Sequence, residues 1–552
     1  MIFPASPGRR AALLLSLVLM LAACATPTAP PPPPARPRLL VLFVVDGLPV
    51  RQVTGLRDQF GPDGFARFLD GGADFTQAHY GYAFTVTCAG HATLLTGAYP
   101  HRSGIIGNEW VDLASGKPTY CAADPAEHYI GQPTEPLDGT SPRKLMAESV
   151  GDVLRRVDPR SKVIAISGKD RGAIMPAGHA GTAYMYMGGS GRFVSSSYYM
   201  QRHPDWVEAF NAARHADRWF HTQWQPLLPE AAYARSVPDR QPWFGPKGGE
   251  LPMMLGAAGD SAPGPDYYAA LLASPFADTL TLDFARAAIV GEGLGTDDVP
   301  DILAISLSGH DYVNHRWSAE SRMSQDHLLR LDRLLQDFFA DLDRTVGRDH
   351  YVAVLTADHG FTPAPELSRE RGLDAGRING SQLLAAVNGA LAQRFGAPRL
   401  VTTASASALV LDRAQIAARA LDFDAVADAA RTALLAQPGI ASAYTRRELA
   451  SGSRAGAPLF DMMRNTWHPE VSGDVQYVQK PKWMFGTTAA THGSPYEDDT
   501  HVPLLLWGPA WVRPGQREAP VQMSDLAPTV AALLGVATPS LSEGKPLPIS
   551  PP

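Results

Sequence analysis

The sequence has no marked excess of one charge. Lys and Arg total 48 against 55 Asp and Glu, a net charge of −7 over 552 residues. Nothing in this balance suggests a nucleic-acid binder, which usually carries a basic patch or stripe. No internal repeat is visible, which argues against a solenoid. The one long apolar stretch, AALLLSLVLMLAAC at Ala11–Cys24, is too short for a comfortable bilayer span. Cysteine is scarce: Cys24, Cys88 and Cys121 are all there are. What remains is an ordinary globular composition, 45% hydrophobic and 19% charged, enough for one large or two medium domains with a sizeable core.

Arg9-Arg10 ahead of the apolar stretch reads as a secretory signal over residues 1–23. The stretch ends in Leu21-Ala22-Ala23-Cys24, which resembles a bacterial lipobox, with Cys24 as the lipidated first residue. The other reading is a plain signal peptide cut near Ala23. Residues 24–37 include TPTAPPPPPARP, an extended proline-rich tether suited to holding a domain off a membrane. The expected location is the periplasm, as an outer-membrane-anchored lipoprotein. In that oxidising compartment Cys88 and Cys121 are expected to pair; a buried free thiol at each position is the alternative.

The folded part is read as one domain over 38–552. RLLVLFVVDG at 38–47 is a Val-rich apolar run that reads as a strand buried on both faces of a parallel sheet. Similar runs recur at 162–167, 301–308, 351–358 and 501–508. Between them lie helical patterns. Leu328, Leu331, Leu335, Phe338 and Leu342 fall at helical spacing between Ser324, placed to cap the start, and Gly347. Residues 524–535 read as a second capped helix. Alternating strands and helices predict an α/β/α sandwich around a largely parallel sheet. Residues of about 175–297 and 362–482 break the rhythm and read as capping insertions, with Val401–Asp412 as one strand in the second.

Chemistry-bearing residues follow the buried runs. Asp46 ends the first; SGKDRGA brings Lys169 and Arg171; GHDYVNH brings Asp311 and His315; TADHG brings Asp358 and His359; and, just before the final run, AATHGS brings His492. Ligands in such sheets bind beyond the carboxyl ends of the strands. Three Asp and three His, with no Cys, suit zinc, and six ligands imply two open-sided sites. Two metals side by side serve in-line displacement at phosphorus. Taken singly, DHG reads as a capped turn, the Asp311–His315 pair as a solvated loop, and Lys169 with Arg171 as a surface salt-bridge cluster. Thr87, in TVTCAGH, reads alone as a helix N-cap; with a metal beside it, it reads as a nucleophile.

The order Asp46, Thr87, Asn108, Lys169/Arg171, Asp311/His315, Asp358/His359, His492 resembles the alkaline phosphatase superfamily. Within it the chain is most similar to the PafA-type bacterial alkaline phosphatases, and more distantly to nucleotide pyrophosphatases/phosphodiesterases. FVVDG, TVTCAGHATLLTG, GIIGNEW, GKDRGAI, DYVNH, TADHG and THGS carry the resemblance. It implies one zinc on Asp311, His315 and His492, and a second on Asp46, Asp358, His359 and the Thr87 oxygen. It implies that Thr87 becomes phosphothreonine, with a helix starting near Ala89 aimed at the phosphoryl group. Asn108, Lys169 and Arg171 would hold the phosphate, the last two facing one side of an extended segment. That trio marks the monoesterases of the family, so phosphate monoesters are the expected substrates, acted on by a monomer. His91, His179 and His310 are read as structural or supporting. A third, magnesium site is not evident.

Two alternatives stand beside this reading. One is a nucleotide pyrophosphatase/phosphodiesterase on the same two-zinc site. The other is a non-enzymatic cell-surface binding protein, which predicts degenerate ligand positions. A sulfatase is excluded, since Cys88 is followed by Ala-Gly-His rather than by a C-x-P-x-R segment.

Overall fold

A computed structural model describes residues 36–549, apart from 246, 247 and 406. The signal segment 1–23, Cys24 and the tether up to residue 35 lie outside the described residues. Among the described residues no helix is long and apolar enough to cross a membrane.

The central sheet has nine strands: β1 (Leu39–Val45), β2 (Ala73–Phe75), β3 (Val163–Ser167), β4 (Thr182–Met187), β5 (Arg192–Val194), β6 (Asp301–Leu307), β7 (Tyr351–Thr356), β8 (Leu504–Trp507) and β9 (Gly515–Arg517). Their order is β9-β2-β8-β7-β1-β6-β3-β4-β5. The middle of the sheet, β7-β1-β6-β3-β4, is parallel throughout. All residues of β1, β3, β6 and β7 are buried, which is why those runs carry no polar alternation. Helices cover both faces, giving the expected α/β architecture. Four helices matter for the site: α1 (Thr87–Thr96), α2 (Asp170–Ala177), α3 (Gly309–Trp317) and α4 (Arg322–Leu342).

Several expectations need correction. The long helix α4 starts three residues early. Ser321, not Ser324, is its N-cap, and its side chain accepts the Ser324 N–H. Residues 401–412 are not one strand. They form an antiparallel hairpin, Val401–Ala404 against Ala408–Leu411, because Ser405 Oγ takes the Ala408 N–H and folds the chain back. The run at 501–508 yields only β8, which lies antiparallel to β7. Residues 182–194 are not part of a cap: β4 pairs parallel with β3 and β5 returns beside it, so both extend the central sheet. Their aromatic and Met-rich sequence hid them, since a strand near a sheet edge needs no long aliphatic run.

Within 362–482 a separate four-stranded antiparallel sheet forms in the order Val401–Ala404, Ala408–Leu411, Val475–Gln479, Ile440–Thr445. It packs with its helices around its own apolar cluster, centred on Val387, Leu409, Val426 and Tyr477.

Candidate metal centre and active site

Strands β7, β1, β6 and β3 are parallel neighbours, so their carboxyl ends meet at one edge. Asp46 follows β1, Asp358 and His359 follow β7, and Asp311 and His315 sit on α3 just after β6. His492 arrives from the segment ahead of β8. The six side chains form two trios, Asp46/Asp358/His359 and Asp311/His315/His492, each with ligand atoms within 4.8 Å of one another.

Each imidazole is pinned on its far side. His359 Nδ1 meets Gly360 O at 2.9 Å, His315 Nδ1 meets Ala490 O at 3.1 Å, and His492 Nδ1 meets Thr85 O at 2.9 Å. A carbonyl only accepts, so each Nδ1 carries the proton and each Nε2 lone pair faces its trio. Burial pushes the His359 and His492 pKa values down. Burial, with Asp358 beside it, pushes the Asp46 carboxyl well up. Burial acts the same way on Asp311, but His315, Lys169 and His492 outweigh it and hold that carboxyl well below the usual range.

Asp46 Oδ1, Asp311 Oδ1, Asp358 Oδ2 and His359 Nε2 are buried with no hydrogen-bond partner. Such groups are costly unless something fills their lone pairs. A mixed nitrogen and oxygen donor set with orphaned, inward-facing lone pairs fits a divalent cation in each trio.

Thr87 is tied to both trios through its neighbours along the chain. Two residues before it, Thr85 O takes the His492 proton. One turn after it, His91 Nδ1 is 3.0 Å from Thr87 O and 3.2 Å from Asp358 Oδ2, while His91 Nε2 is 2.9 Å from Ser306 Oγ. His91 thus supports the site without belonging to a trio. Thr87 is not an N-cap. Val86 holds that position, and α1 begins at Thr87 rather than near Ala89. Gly90 permits this packing, since a Cβ there would come within 2.1 Å of Asp358 O.

Asn108 Oδ1 accepts the Cys88 N–H at 2.9 Å, which fixes its amide so that Nδ2 is the free donor. Cys88 and Cys121 are disulfide-bonded, and the Cys121 N–H donates to Asn108 O at 2.9 Å. The bridge therefore straps the Asn108 loop to the start of α1.

Lys169 and Arg171 do not lie on an extended segment. Lys169 is the N-cap of α2 and Arg171 is in its first turn. The Lys169 ammonium lies between the trios, 2.7 Å from Asp46 Oδ2 and 2.5 Å from Asp311 Oδ2. These carboxylates hold its pKa up against burial. Arg171 Nη1 donates to Tyr120 Oη at 3.2 Å, and its buried Nε has no partner.

His179 and His310 take no part in the trios. His179 bonds Leu145 O and faces Asp152. His310 Nε2 meets Gln52 Oε1 at 2.9 Å and its Nδ1 meets His327 Nδ1 at 3.2 Å, in a buried layer under α3. Two tyrosines escaped the sequence reading. Tyr120, next to Cys121, donates to Asp170 Oδ1 at 2.5 Å and so orients Arg171; nothing local in its sequence signals this. Tyr312 lies with its ring centroid 5.0 Å from Lys169 Nζ; its place between Asp311 and His315 was the available signal.

Known proteins resemble this chain over nearly its whole length. The family model described as type I phosphodiesterase / nucleotide pyrophosphatase matches residues 40–501. The chain is 34% identical to alkaline phosphatase PafA of Elizabethkingia meningoseptica, over 93% of this chain and 94% of that protein. It is also 34% identical to alkaline phosphatase PhoV of Synechococcus elongatus, over 93% and 92% respectively. The crystal structure of wild-type alkaline phosphatase PafA superposes with a TM-score of 0.87 at 32% identity, covering 95% of this chain and all of that one.

Proposed function

The chain belongs to the type I phosphodiesterase / nucleotide pyrophosphatase family, and from that premise we propose that it is a zinc-dependent alkaline phosphatase. It hydrolyses phosphate monoesters through a phosphothreonine at Thr87 and releases inorganic phosphate. The observation that carries this reading is the pair of Asp/His trios at one sheet edge, tied to the Thr87 segment through Thr85 O and His91, with Lys169 bridging the two trios. Relatives named alkaline phosphatase along nearly the whole chain support hydrolysis of phosphate esters.

Asp46, Asp358 and His359 would hold one zinc ion and Asp311, His315 and His492 a second; when bound, the pair would lower the pKa of the attacking hydroxyl and offset charge on the leaving oxygen. The rest is done by the protein's own side chains. The Thr87 oxygen forms a bond to phosphorus as the ester P–O bond breaks, and the alcohol leaves with a proton. Water then attacks the phosphothreonine, restoring the Thr87 hydroxyl. The free Asn108 amide and the Arg171 guanidinium hold non-bridging oxygens, the latter able to do so bidentately. The Lys169 ammonium keeps the carboxylates of both trios together.

A diesterase on the same site is the second reading, favoured by the name of the matching family model. Against it, a monoester carries nearly two negative charges and a diester about one, and the site gathers two cationic side chains. At the N-terminus, Cys24 and the proline-rich spacer are proposed to anchor the enzyme, as a monomer, at a periplasmic membrane surface; the lipobox-like sequence supports this.

The test is Thr87→Ala with zinc content measured alongside turnover. With both zinc ions retained, monoester hydrolysis is expected to fall more than about a thousandfold. Substantial residual turnover would remove Thr87 as nucleophile. A parallel panel of monoesters, diesters and sulfate esters ranks the substrate classes.

A further inference from the structure

His359 and His492 belong to different trios, yet their rings stack with centroids 3.4 Å apart. The spacing of the two cation sites therefore depends on how the loop after β7 is joined to the loop carrying His492. Two joints connect them directly or through a third segment. The first is a backbone bridge, with the Thr362 N–H donating to Thr491 O at 3.0 Å. The second runs through Asp499, which is fully buried. Its Oδ1 accepts from Thr362 Oγ1 at 2.9 Å, on the His359 side, and its Oδ2 accepts from the Ser494 N–H at 2.9 Å, on the His492 side.

The backbone around Asp499 continues the splint. Asp499 O accepts the Gly360 N–H at 2.7 Å, and Asp498 O accepts the Phe361 N–H at 2.8 Å. Only glycine fits at 360, where a Cβ would lie 2.1 Å from Asp498 O. Phe361, held this way, packs against the His315 and His492 rings. Burial pushes the Asp499 carboxyl up to about 7, so the fold carries a cost to keep an acid there.

We propose that Asp499 is a positioning residue that clips the two cation-holding loops together and thereby sets the spacing of the two sites. It touches neither substrate nor any trio side chain. The proposal rests on the reading of the trios as cation sites. Groups that orient metal ligands from behind characteristically change affinity by about 10–100-fold when lost.

The experiment measures zinc per chain and zinc affinity, by competition with a chromophoric chelator, on the full chain and three variants. Asp499→Ala removes both clips. Thr362→Val removes one while keeping shape. Asp499→Asn can keep both, its oxygen accepting from Ser494 and its amide donating to the Thr362 hydroxyl. The expected result is two zinc per wild-type chain, at least one bound about 10–100-fold more weakly in D499A, a smaller loss in T362V, and near wild-type affinity in D499N. Wild-type affinity in D499A, or in T362V should D499A not fold, overturns the proposal while leaving the site reading intact. D499N as weak as D499A overturns the hydrogen-bond account. A wild-type chain that binds no zinc overturns the site reading and this inference together.

Discussion

Arg171 shows how one side chain separates two substrate classes. Its guanidinium is held on one side by Tyr120, which is itself fixed by Asp170, and its buried Nε has no protein partner. An oriented, partly desolvated cation of this kind is worth most against the most highly charged ligand. Arg171→Ala is therefore expected to lower kcat/KM for a phosphate monoester by about 10²–10³-fold, and for a diester by markedly less. Steady-state kinetics on one monoester and one diester checks this; equal losses would show that charge does not set the preference. At this scale much was legible. Lys169 and Arg171 stand out in SGKDRGA because two cations directly after a buried strand have few structural uses. The partner of each was not legible. The sequence does not say that Lys169 bridges Asp46 and Asp311, nor that Tyr120 and Asp499 act from 51 and 137 residues away from the groups they orient, since such support depends on contacts that no local spacing encodes.

Elements decide which residues can meet. The apolar runs that become β1, β3, β6 and β7 were readable because strands buried on both faces must be apolar throughout, and the first polar residue after each marks a loop at the ligand-binding edge. That is why the four motifs that follow these strands could be assigned to one site from the sequence, whereas His492, ahead of β8, does not follow from that rule. Their capping was less readable. Ser321 and Ser324 both fit an N-cap, and only the observed bond between them decides. The start of α1 depends on a still finer fit, the close passage of Gly90 over Asp358 O. Gly90→Ala is expected to push α1 away from the end of β7. The stability cost should be about 1–3 kcal/mol, and because Thr87 and His91 ride on the same helix, activity should fall further than stability. Denaturant midpoints compared with turnover on the folded variant test it; a stable, fully active variant would show that the helix tolerates the shift.

Over the whole molecule, the sheet order and the small antiparallel sheet within 362–482 were not legible, because strand pairing between distant segments leaves no mark in either one. Residues 182–194 were misread for a different reason, since their aromatic and Met-rich strands lie near the sheet edge and carry no long aliphatic run. What the whole chain does imply is a linkage between folding and cations. Folding gathers Asp46, Asp311 and Asp358 at one buried edge; among the described residues only Lys169 bridges two of them, and an oxygen on each of Asp46 and Asp311 is left without a hydrogen-bond partner. A cation that binds this edge and not the unfolded chain adds RT ln(1 + [L]/Kd) to stability, about 4 kcal/mol at a thousandfold excess over Kd. Removing zinc with a chelator is therefore expected to lower the thermal midpoint and abolish turnover together, and adding zinc back should restore both. Magnesium alone should restore little, since imidazole donors suit zinc and magnesium prefers oxygen. Calorimetry and activity on the same samples decide it. A midpoint unmoved by chelation would mean that the edge is stable without cations and that the orphaned acceptors are satisfied in some other way.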